Sequence, residues 1–320
     1  MVMAQSLFKA LKLRRPDCVI DVLAPQWTLS LLARMPEVSE AITMPLGHGQ
    51  FALQARIDVG RQLRPRQYDQ AIVLPNSWKS ALIPFFAGIP LRTGYLGECR
   101  WGLLNDVRRL DKQQLPMTVQ RFVALAYRKG QALPMDFPKP ELRIDAGRQS
   151  AVREKFRIDP AGPVLALCPG AEYGPAKRWP ARYFADVAKA KIAQGWQVWL
   201  FGSHKDKAVA GEINAFTDNT CIDFCGSTTL AEAVDLMSLA DVVVSNDSGL
   251  MHVAAALQKK LLAIYGSSDP GFTPPLTRKA RIVTLGLACS PCFKRECPLQ
   301  HTHCLLNITP KQVLQEMAAL

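Results

Sequence analysis

Short apolar runs alternate along the whole chain with longer segments of helical spacing. The runs are rich in β-branched and aromatic residues and occupy 18–24, 69–74, 164–167, 196–201, 242–245 and 261–265. Segments with helical periodicity, such as 181–194 and 229–239, lie between them. Continuous apolar strands that alternate with helices form parallel sheets covered on both faces. The pattern therefore predicts an α/β fold.

Both halves of the chain carry this strand–helix alternation. The stretch 141–163 between them holds a charged, helix-like segment followed by a turn cluster at 159–163. We therefore expect two domains, 1–155 and 156–320. In open sheets of this kind, ligands bind beyond the carboxyl ends of the strands. The loops that follow the strands are the places to look for chemistry.

The composition is that of a globular protein, and the charge is distributed unevenly along the chain. Of 320 residues, 48% are apolar and 21% charged. No apolar run reaches the ~18 residues of a membrane span and no signal peptide is visible, so we expect a cytoplasmic protein. Residues 1–150 carry 21 basic and 12 acidic side chains, which is +9 of the total +12. This excess favours an anionic partner for the first half, although an ordinary basic surface would look the same.

The segment 241–252 is the strongest candidate site. A buried strand ends at Ser245, and Asp247 has the side chain of a helix N-cap. The unpaired N–H groups at such a helix start attract an anion, for example a diphosphate. Gly249 would allow close approach of a ligand, and His252 lies one turn after Ser248 on the same face.

A second candidate site is the loop 168–180, which also follows a strand. Lys177 and Arg178 lie near the predicted entrance of the next helix. Cations beside the positive end of a helix are unfavourable unless an anion binds there too. The loop therefore predicts a phosphate-binding role.

Metal and nucleotide motifs are largely missing from the sequence. There is no phosphate-binding G-x4-G-K-[S/T] loop, and no two acidic residues are spaced i, i+2 to bridge a metal to a diphosphate. Four of the nine cysteines form a cluster whose density resembles a small zinc site: Cys289, Cys292, Cys297 and Cys304. The second Cys-x2-Cys of a zinc ribbon is absent, and a compact loop with reduced thiols is the alternative. We expect no metal in the reaction itself.

Several longer segments resemble one known family. They are 74–81, 88–95, 102–108, 168–180, 201–203, 246–257 and the cysteine-rich segment. Together they resemble the ADP-heptose:lipopolysaccharide heptosyltransferases, in particular their type II subfamily. The resemblance implies a GT-B architecture of two Rossmann-like domains facing across a cleft. It also implies inverting transfer of heptose from ADP-heptose to the anionic lipid A–inner core glycolipid, with no cofactor.

The resemblance also assigns roles to individual residues. Lys177 and Asp247 would be the catalytic residues, with Lys177 on the donor phosphate or sugar and Asp247 on the heptose hydroxyls. The candidates on the acceptor side are Asn76, Ser77 and Lys79. The implied donor-binding residues are Gly170, Ala171, Lys177, Gly202, Ser203, Gly226, Ser227, Thr228, Asp247, Ser248, Gly249 and His252. A lipid-linked acceptor further implies contact with the cytoplasmic face of the inner membrane, and no nucleic acid.

The sequence differs from the family pattern at the start of the chain. The family begins with a strand and a turn ending in Gly-Asp, whose Asp is the general base, just before the helix that here starts near Met1. We therefore expect the first sheet to lack a central strand and the chain as given to lack the base. The alternatives are a non-catalytic binder of ADP-sugar or glycolipid, a transferase of another acceptor specificity, and a charge-driven nucleic-acid binder. The last has no recognisable binding module.

Overall fold

The computed structural model describes residues 1–47, 49–159 and 161–320, which form two compact units. Unit 1 consists of Met1, Met3–Ala33 and Glu37–Pro138. Unit 2 consists of Val2, Arg34–Pro36 and Lys139–Leu320. Residues 139–155, which the expected boundary places in the first domain, group with unit 2, and residue 160 of the expected turn lies outside the described residues.

The elements of unit 1 are short. Its strands are β1 (Asp21–Pro25), β2 (Glu40–Met44), β3 (Gln70–Val73), β4 (Leu91–Tyr95) and β5 (Asp106–Arg108). Its helices are α1 (Gln5–Arg14), α2 (Leu29–Leu32), α3 (Leu53–Leu63), α4 (Leu82–Phe86) and α5 (Thr118–Ala124).

The strands of unit 1 form two parallel sheets instead of one. β1 pairs with β2, while β3, β4 and β5 form a second sheet. Among the described residues no backbone ladder joins β1 to β3. Both sheets nevertheless pack on one apolar cluster, since Leu23 and Ile42 from the first sheet and Ala71 from the second contact it. The two sheets of unit 1 thus share one core.

Unit 2 has longer and more deeply buried elements. Its strands are β6 (Val164–Cys168), β7 (Gln197–Leu200), β8 (Ile222–Asp223), β9 (Val242–Asn246), β10 (Lys260–Ile264) and β11 (Ala280–Val283). Its helices are α6 (Ala146–Phe156), α7 (Ala181–Ile192), α8 (Lys207–Phe216), α9 (Leu230–Met237), α10 (Gly249–Ala256), α11 (His303–Leu306) and α12 (Pro310–Ala318).

The six strands of unit 2 form one parallel sheet in the order β11-β10-β9-β6-β7-β8. Every residue of β6 and β9 is buried, which explains why β6 and the first three residues of β9 are apolar. Each fully buried Val or Leu contributes about 1.5–3 kcal/mol to folding. Because β9 lies between β6 and β10, the loops that follow these three strands emerge side by side at the carboxyl edge. The predicted α/β fold is confirmed.

Local helix signals are confirmed in type and shifted at their ends. Thr229 caps α9 by accepting from the backbone N–H of Glu232, whose carboxylate accepts from the N–H of Thr229 in return. The helix ends at Met237, two residues before the predicted end. α7 ends at Ile192 instead of residue 194, because the final turn is not α-helical.

A buried ion pair fixes the segment Arg34–Pro36 within unit 2. The Arg34 guanidinium donates to the Asp235 carboxylate at 2.6 Å, and both side chains are at most 3% exposed. It also donates to the backbone oxygens of Ala231 and Arg143. Breaking a buried pair by removing one partner costs about 3–5 kcal/mol, because the other charge stays in the interior.

Candidate active site

The loop after β6 is fastened to the end of β9 by one buried side chain. Asn246 donates from Nδ2 to the backbone oxygen of Pro169 at 2.7 Å. Its Oδ1 accepts from the backbone N–H of Trp179 at 3.1 Å. Pro169 and Trp179 are the two ends of the loop, so Asn246 sets its span. The residue lies in a motif that carried the family resemblance, but its positioning role was missed from the sequence.

The two predicted catalytic side chains meet in this loop region. Lys177 Nζ lies 2.5 Å from Asp247 Oδ2, and the Asp247 side chain is only 5% exposed. Lys177 belongs to the 3-10 turn Pro175–Lys177 and not to the start of α7. Arg178, predicted to share its role, donates to the backbone oxygen of Ala171 instead, and so stabilises the loop.

The start of α10 is open to a ligand. The sequence suggested Asp247 as its N-cap, but the N-cap is Ser248. The Asp247 carboxylate instead accepts a hydrogen bond from Lys177. No side chain caps the helix, and Ser248 Oγ lies 3.3 Å from Ser245 Oγ. A Cβ at Gly249 would meet no atom within 4 Å. The unpaired N–H groups of this helix start therefore face a space that an anion can occupy.

His252 lies one turn into α10 and is uncharged at neutral pH. Burial lowers the pKa of its imidazole to about 4, and the nearby Asp247 carboxylate opposes this shift only in part. A neutral imidazole can donate one hydrogen bond and accept another. His252 thus suits hydrogen bonding to a ligand better than charge pairing.

The glycine-containing loops after β7 and β8 pack around one short turn. The backbone N–H of Gly226 donates to Gly202 at 3.1 Å, which joins the two loops. Built Cβ atoms at Gly170 and Gly202 would lie 2.4 and 2.7 Å from Asp206, and one at Gly226 would lie 2.8 Å from His204. These three glycines are therefore explained by the turn His204–Asp206, with or without a ligand.

Hydroxyl groups of the same loops already have protein partners. Ser203 donates to Asp206 at 2.8 Å, and Thr228 donates to the backbone oxygen of Phe224 at 3.3 Å. Ser227 follows Gly226 and donates its backbone N–H to Phe224. The loops are thus ordered before any ligand binds, and their contact with adenosine stays a prediction.

The predicted acceptor residues follow β3 in unit 1. Asn76 is exposed, and its backbone oxygen accepts from Glu98. Ser77 precedes the 3-10 turn Trp78–Ala81, and its backbone oxygen accepts from Ser80. Lys79 Nζ donates to the backbone oxygen of Gly49 at 3.1 Å, so its ammonium is already engaged. The structure therefore leaves Asn76 freest of the three to meet a substrate.

Two carboxylates, Asp17 and Asp21, occur in the first thirty residues, and both lie beyond α1 as the sequence indicated. Asp21 accepts from the Tyr68 hydroxyl at 2.6 Å and lies 3.4 Å from Arg66. These contacts give Asp21 a structural role at the start of β1.

The cysteine-rich segment folds as a compact loop against unit 2. Its four thiols line one cavity of about 20 Å³ together with Ser267 and His301. In the described ranges, no group of three or more Cys, His, Asp or Glu side chains is arranged to hold a metal ion. Backbone N–H groups, led by that of Thr302, lower the pKa of Cys297, whereas burial raises the pKa of Cys304. The segment is therefore compact, and metal binding by its four thiols stays a prediction.

The cysteine-rich segment also supports the loop that carries Lys177. The backbone N–H of Ala176 donates to Arg295 at 3.0 Å, and the Tyr173 hydroxyl donates to Phe293 at 2.7 Å. Gly174 packs so tightly there that a Cβ would lie 2.5 Å from the Arg295 oxygen. This contact joins parts of the sequence about 120 residues apart, so local patterns gave no signal for it.

Several known proteins are similar to this chain over most of its length. Residues 56–303 match the family model of glycosyltransferase family 9 (heptosyltransferase). The chain is 49% identical over its whole length to lipopolysaccharide heptosyltransferase 2 of Escherichia coli, covering 94% of that protein. Over 89% of its length it is 50% identical to lipooligosaccharide heptosyltransferase 2 of Haemophilus influenzae, covering 85% of it. The solved structure of E. coli ADP-heptose lps heptosyltransferase II superposes with a TM-score of 0.88 at 46% identity, over 100% of this chain and 94% of that one.

Proposed function

Because the chain belongs to glycosyltransferase family 9, the heptosyltransferases, we propose how its residues divide the work of one transfer reaction. The enzyme moves L-glycero-D-manno-heptose from ADP-heptose to the inner core of lipopolysaccharide with inversion. The identity of 49% to a heptosyltransferase 2 over the whole length of the chain supports this activity. It gives no support to the alternative of a non-catalytic binder.

The observation that carries the assignment of the donor site is the Lys177–Asp247 pair beside the uncapped start of α10. The diphosphate of ADP-heptose binds at the free N–H groups around Gly249, with Ser248 and His252 along the same edge. These N–H groups and the Lys177 ammonium stabilise the negative charge that grows on the diphosphate as the bond to the sugar breaks. The acceptor oxygen attacks the opposite face of the anomeric carbon, which inverts it.

Lys177 and Asp247 exchange partners when the donor binds. In the free enzyme the ammonium neutralises a carboxylate that is 5% exposed. With donor present, Lys177 interacts with phosphate and Asp247 accepts from heptose hydroxyls. Each buried charge therefore has a partner in both states, which avoids the cost of leaving either one unpaired.

The adenosine lies along the joined loops after β7 and β8. Their contact through Gly202 and Gly226 gives a backbone edge already in place, which lowers the ordering cost on binding. Gly170 and Ala171 border the same edge, and Ser203, Ser227 and Thr228 face the nucleoside. Activity with ADP-heptose, compared with UDP- and GDP-sugars, tests this assignment, since equal turnover of all three would contradict it.

Transfer should survive removal of divalent metal ions. The diphosphate charge is met by Lys177 and helix N–H groups, and no acidic pair is placed to bridge a metal to it. We expect the initial rate with an inner-core glycolipid acceptor to stay within twofold after EDTA treatment and desalting. A rate that is lost and then restored by Mg²⁺ or Mn²⁺ would contradict the mechanism. Restoration by Zn²⁺ alone would instead point to the cysteine-rich segment.

We further propose that unit 1 contacts the membrane in which the acceptor lies. Phe51 and Trp78 are 43% and 41% exposed, and their rings pack 5.2 Å apart in the loops after β2 and β3. Arg56 holds these loops together by donating to the backbone oxygens of Phe51, Lys79 and Gln50. Exposed Trp and Phe side chains are typical of protein surfaces at the lipid headgroup level, and residues 1–150 carry +9 of the total net charge of +12.

Replacing Phe51 and Trp78 together by alanine should weaken membrane binding. We expect the fraction that co-sediments with vesicles containing anionic lipid to fall about fivefold or more, because each large apolar ring contributes about 1.5–3 kcal/mol when it leaves water. The control is Leu13→Ala, which removes an apolar side chain that is 73% exposed on α1. Equal co-sedimentation of the double variant and the wild type would rule out this surface as the contact.

Among the described residues, no helix is long and apolar enough to cross a membrane.

A further inference from the structure

The ring of Tyr173 is close to two cations that come from distant parts of unit 2. The Lys177 ammonium lies 5.1 Å from the ring centroid, and the Arg295 guanidinium lies 5.5 Å from it. Tyr173 itself is held in place by its hydroxyl, which donates to the backbone oxygen of Phe293. The ring thus brings together a residue of the loop 168–180, called the donor loop from here on, and a residue of the cysteine-rich segment.

The two cations differ in how their charge is met. Lys177 pairs with Asp247 at 2.5 Å. In the described part of the chain, the exposed Arg295 guanidinium forms no ion pair and donates no hydrogen bond to a carboxylate. Lys205, which forms an ion pair with Glu172, is the main cause of the lowered pKa of that carboxyl, and the charge of Arg295 adds a smaller effect. Two cations close to one ring repel each other, and a bound anion that contacts both removes that cost.

From this geometry we propose that Arg295 binds a phosphate group of the substrate together with Lys177. A guanidinium presents a planar fork that matches two phosphate oxygens, and its stacking on Tyr173 holds the fork in place. The position of Arg295 is set by its own backbone oxygen, which accepts from Ala176, the neighbour of Lys177. The cysteine-rich segment therefore contributes a substrate contact as well as support for the loop. The inference rests on the proposed donor site.

Two sources could supply the phosphate, namely the diphosphate of the donor and a phosphate on the glycolipid acceptor. The position of Arg295 beside the loop of Lys177 favours the donor. The test compares Arg295→Ala, Arg295→Lys and the control Lys294→Ala, which removes the adjacent exposed cation. ADP affinity is measured by calorimetry. KM is measured for ADP-heptose, and for the acceptor before and after enzymatic removal of its phosphates.

We expect Arg295→Ala to weaken ADP binding and raise the KM for ADP-heptose about tenfold or more, the effect of losing a charged hydrogen bond. Arg295→Lys should recover part of this loss, and Lys294→Ala should match the wild type. Unchanged ADP affinity with a tenfold higher KM for the phosphorylated acceptor alone would assign the contact to the acceptor phosphate. If ADP affinity and both KM values stay within twofold while the wild type transfers heptose, the inference is wrong and the proposed function stands.

Discussion

Replacing Lys177 with alanine should lower kcat/KM for ADP-heptose and weaken ADP binding by about 10- to 150-fold. The loss corresponds to one charge-assisted contact to phosphate, about 1.5–3 kcal/mol. The change also leaves the Asp247 carboxylate, which is 5% exposed, without its partner. We therefore expect the free energy of unfolding to fall by about 1–3 kcal/mol as well. Calorimetric titration with ADP, steady-state kinetics and urea unfolding measure the three effects.

Two further variants separate the effect on binding from the effect on stability. Lys177→Arg keeps the charge, so it should preserve more of the ADP affinity than alanine does. Asp247→Asn combined with Lys177→Ala removes both members of the pair, and should recover stability without recovering donor affinity. Donor kinetics and ADP affinity of Lys177→Ala within twofold of the wild type would show that this loop does not bind the donor.

Replacing Gly174 with alanine should separate the donor loop from the cysteine-rich segment. The backbone there has a φ of +155°, and the new Cβ would lie 2.5 Å from the backbone oxygen of Arg295. The clash displaces the hydrogen bond from Ala176 to Arg295, and Lys177 moves with its neighbour. We expect ADP affinity to fall about tenfold or more, and stability to fall by about 1–3 kcal/mol as an overpacked site does.

The matched control for Gly174→Ala is Gly211→Ala in α8. No atom lies within 4 Å of a Cβ at Gly211, and alanine favours a helix interior by about 0.5–1 kcal/mol over glycine. The control should therefore bind ADP as the wild type does and unfold at the same or a higher urea concentration. Normal ADP binding by Gly174→Ala would mean that the cysteine-rich segment does not position the loop.

The parts of the fold that could be predicted are those where burial alone decides the sequence. β6 and the first three residues of β9 are apolar because both faces of the sheet are covered. Thr229 and Glu232 mark the start of α9 by their spacing. The division of unit 1 into two sheets was not predicted, since its short strands are only partly buried and carry weaker patterns.

The site was predicted less completely, because its contacts join distant segments. Asp247 was expected to cap α10, but it pairs with Lys177, which lies 70 residues earlier in the chain. Arg295 follows no strand and belongs to no helix, so no local rule selects it. Asn246 had a signal, namely an amide side chain at the end of an otherwise apolar strand, and buried amides need partners.

The Arg34–Asp235 ion pair bears on whether the protein can be cut into independently stable pieces. Arg34 lies deep in the first half of the sequence, yet its guanidinium is buried in unit 2 against α9. A fragment that begins at Lys139 would leave the Asp235 carboxylate in the interior without a counter-charge. Such a fragment would lose several kcal/mol that the intact chain retains. Unit 2 is therefore discontinuous in sequence, since the counter-charge of Asp235 comes from a residue about 200 positions earlier in the chain.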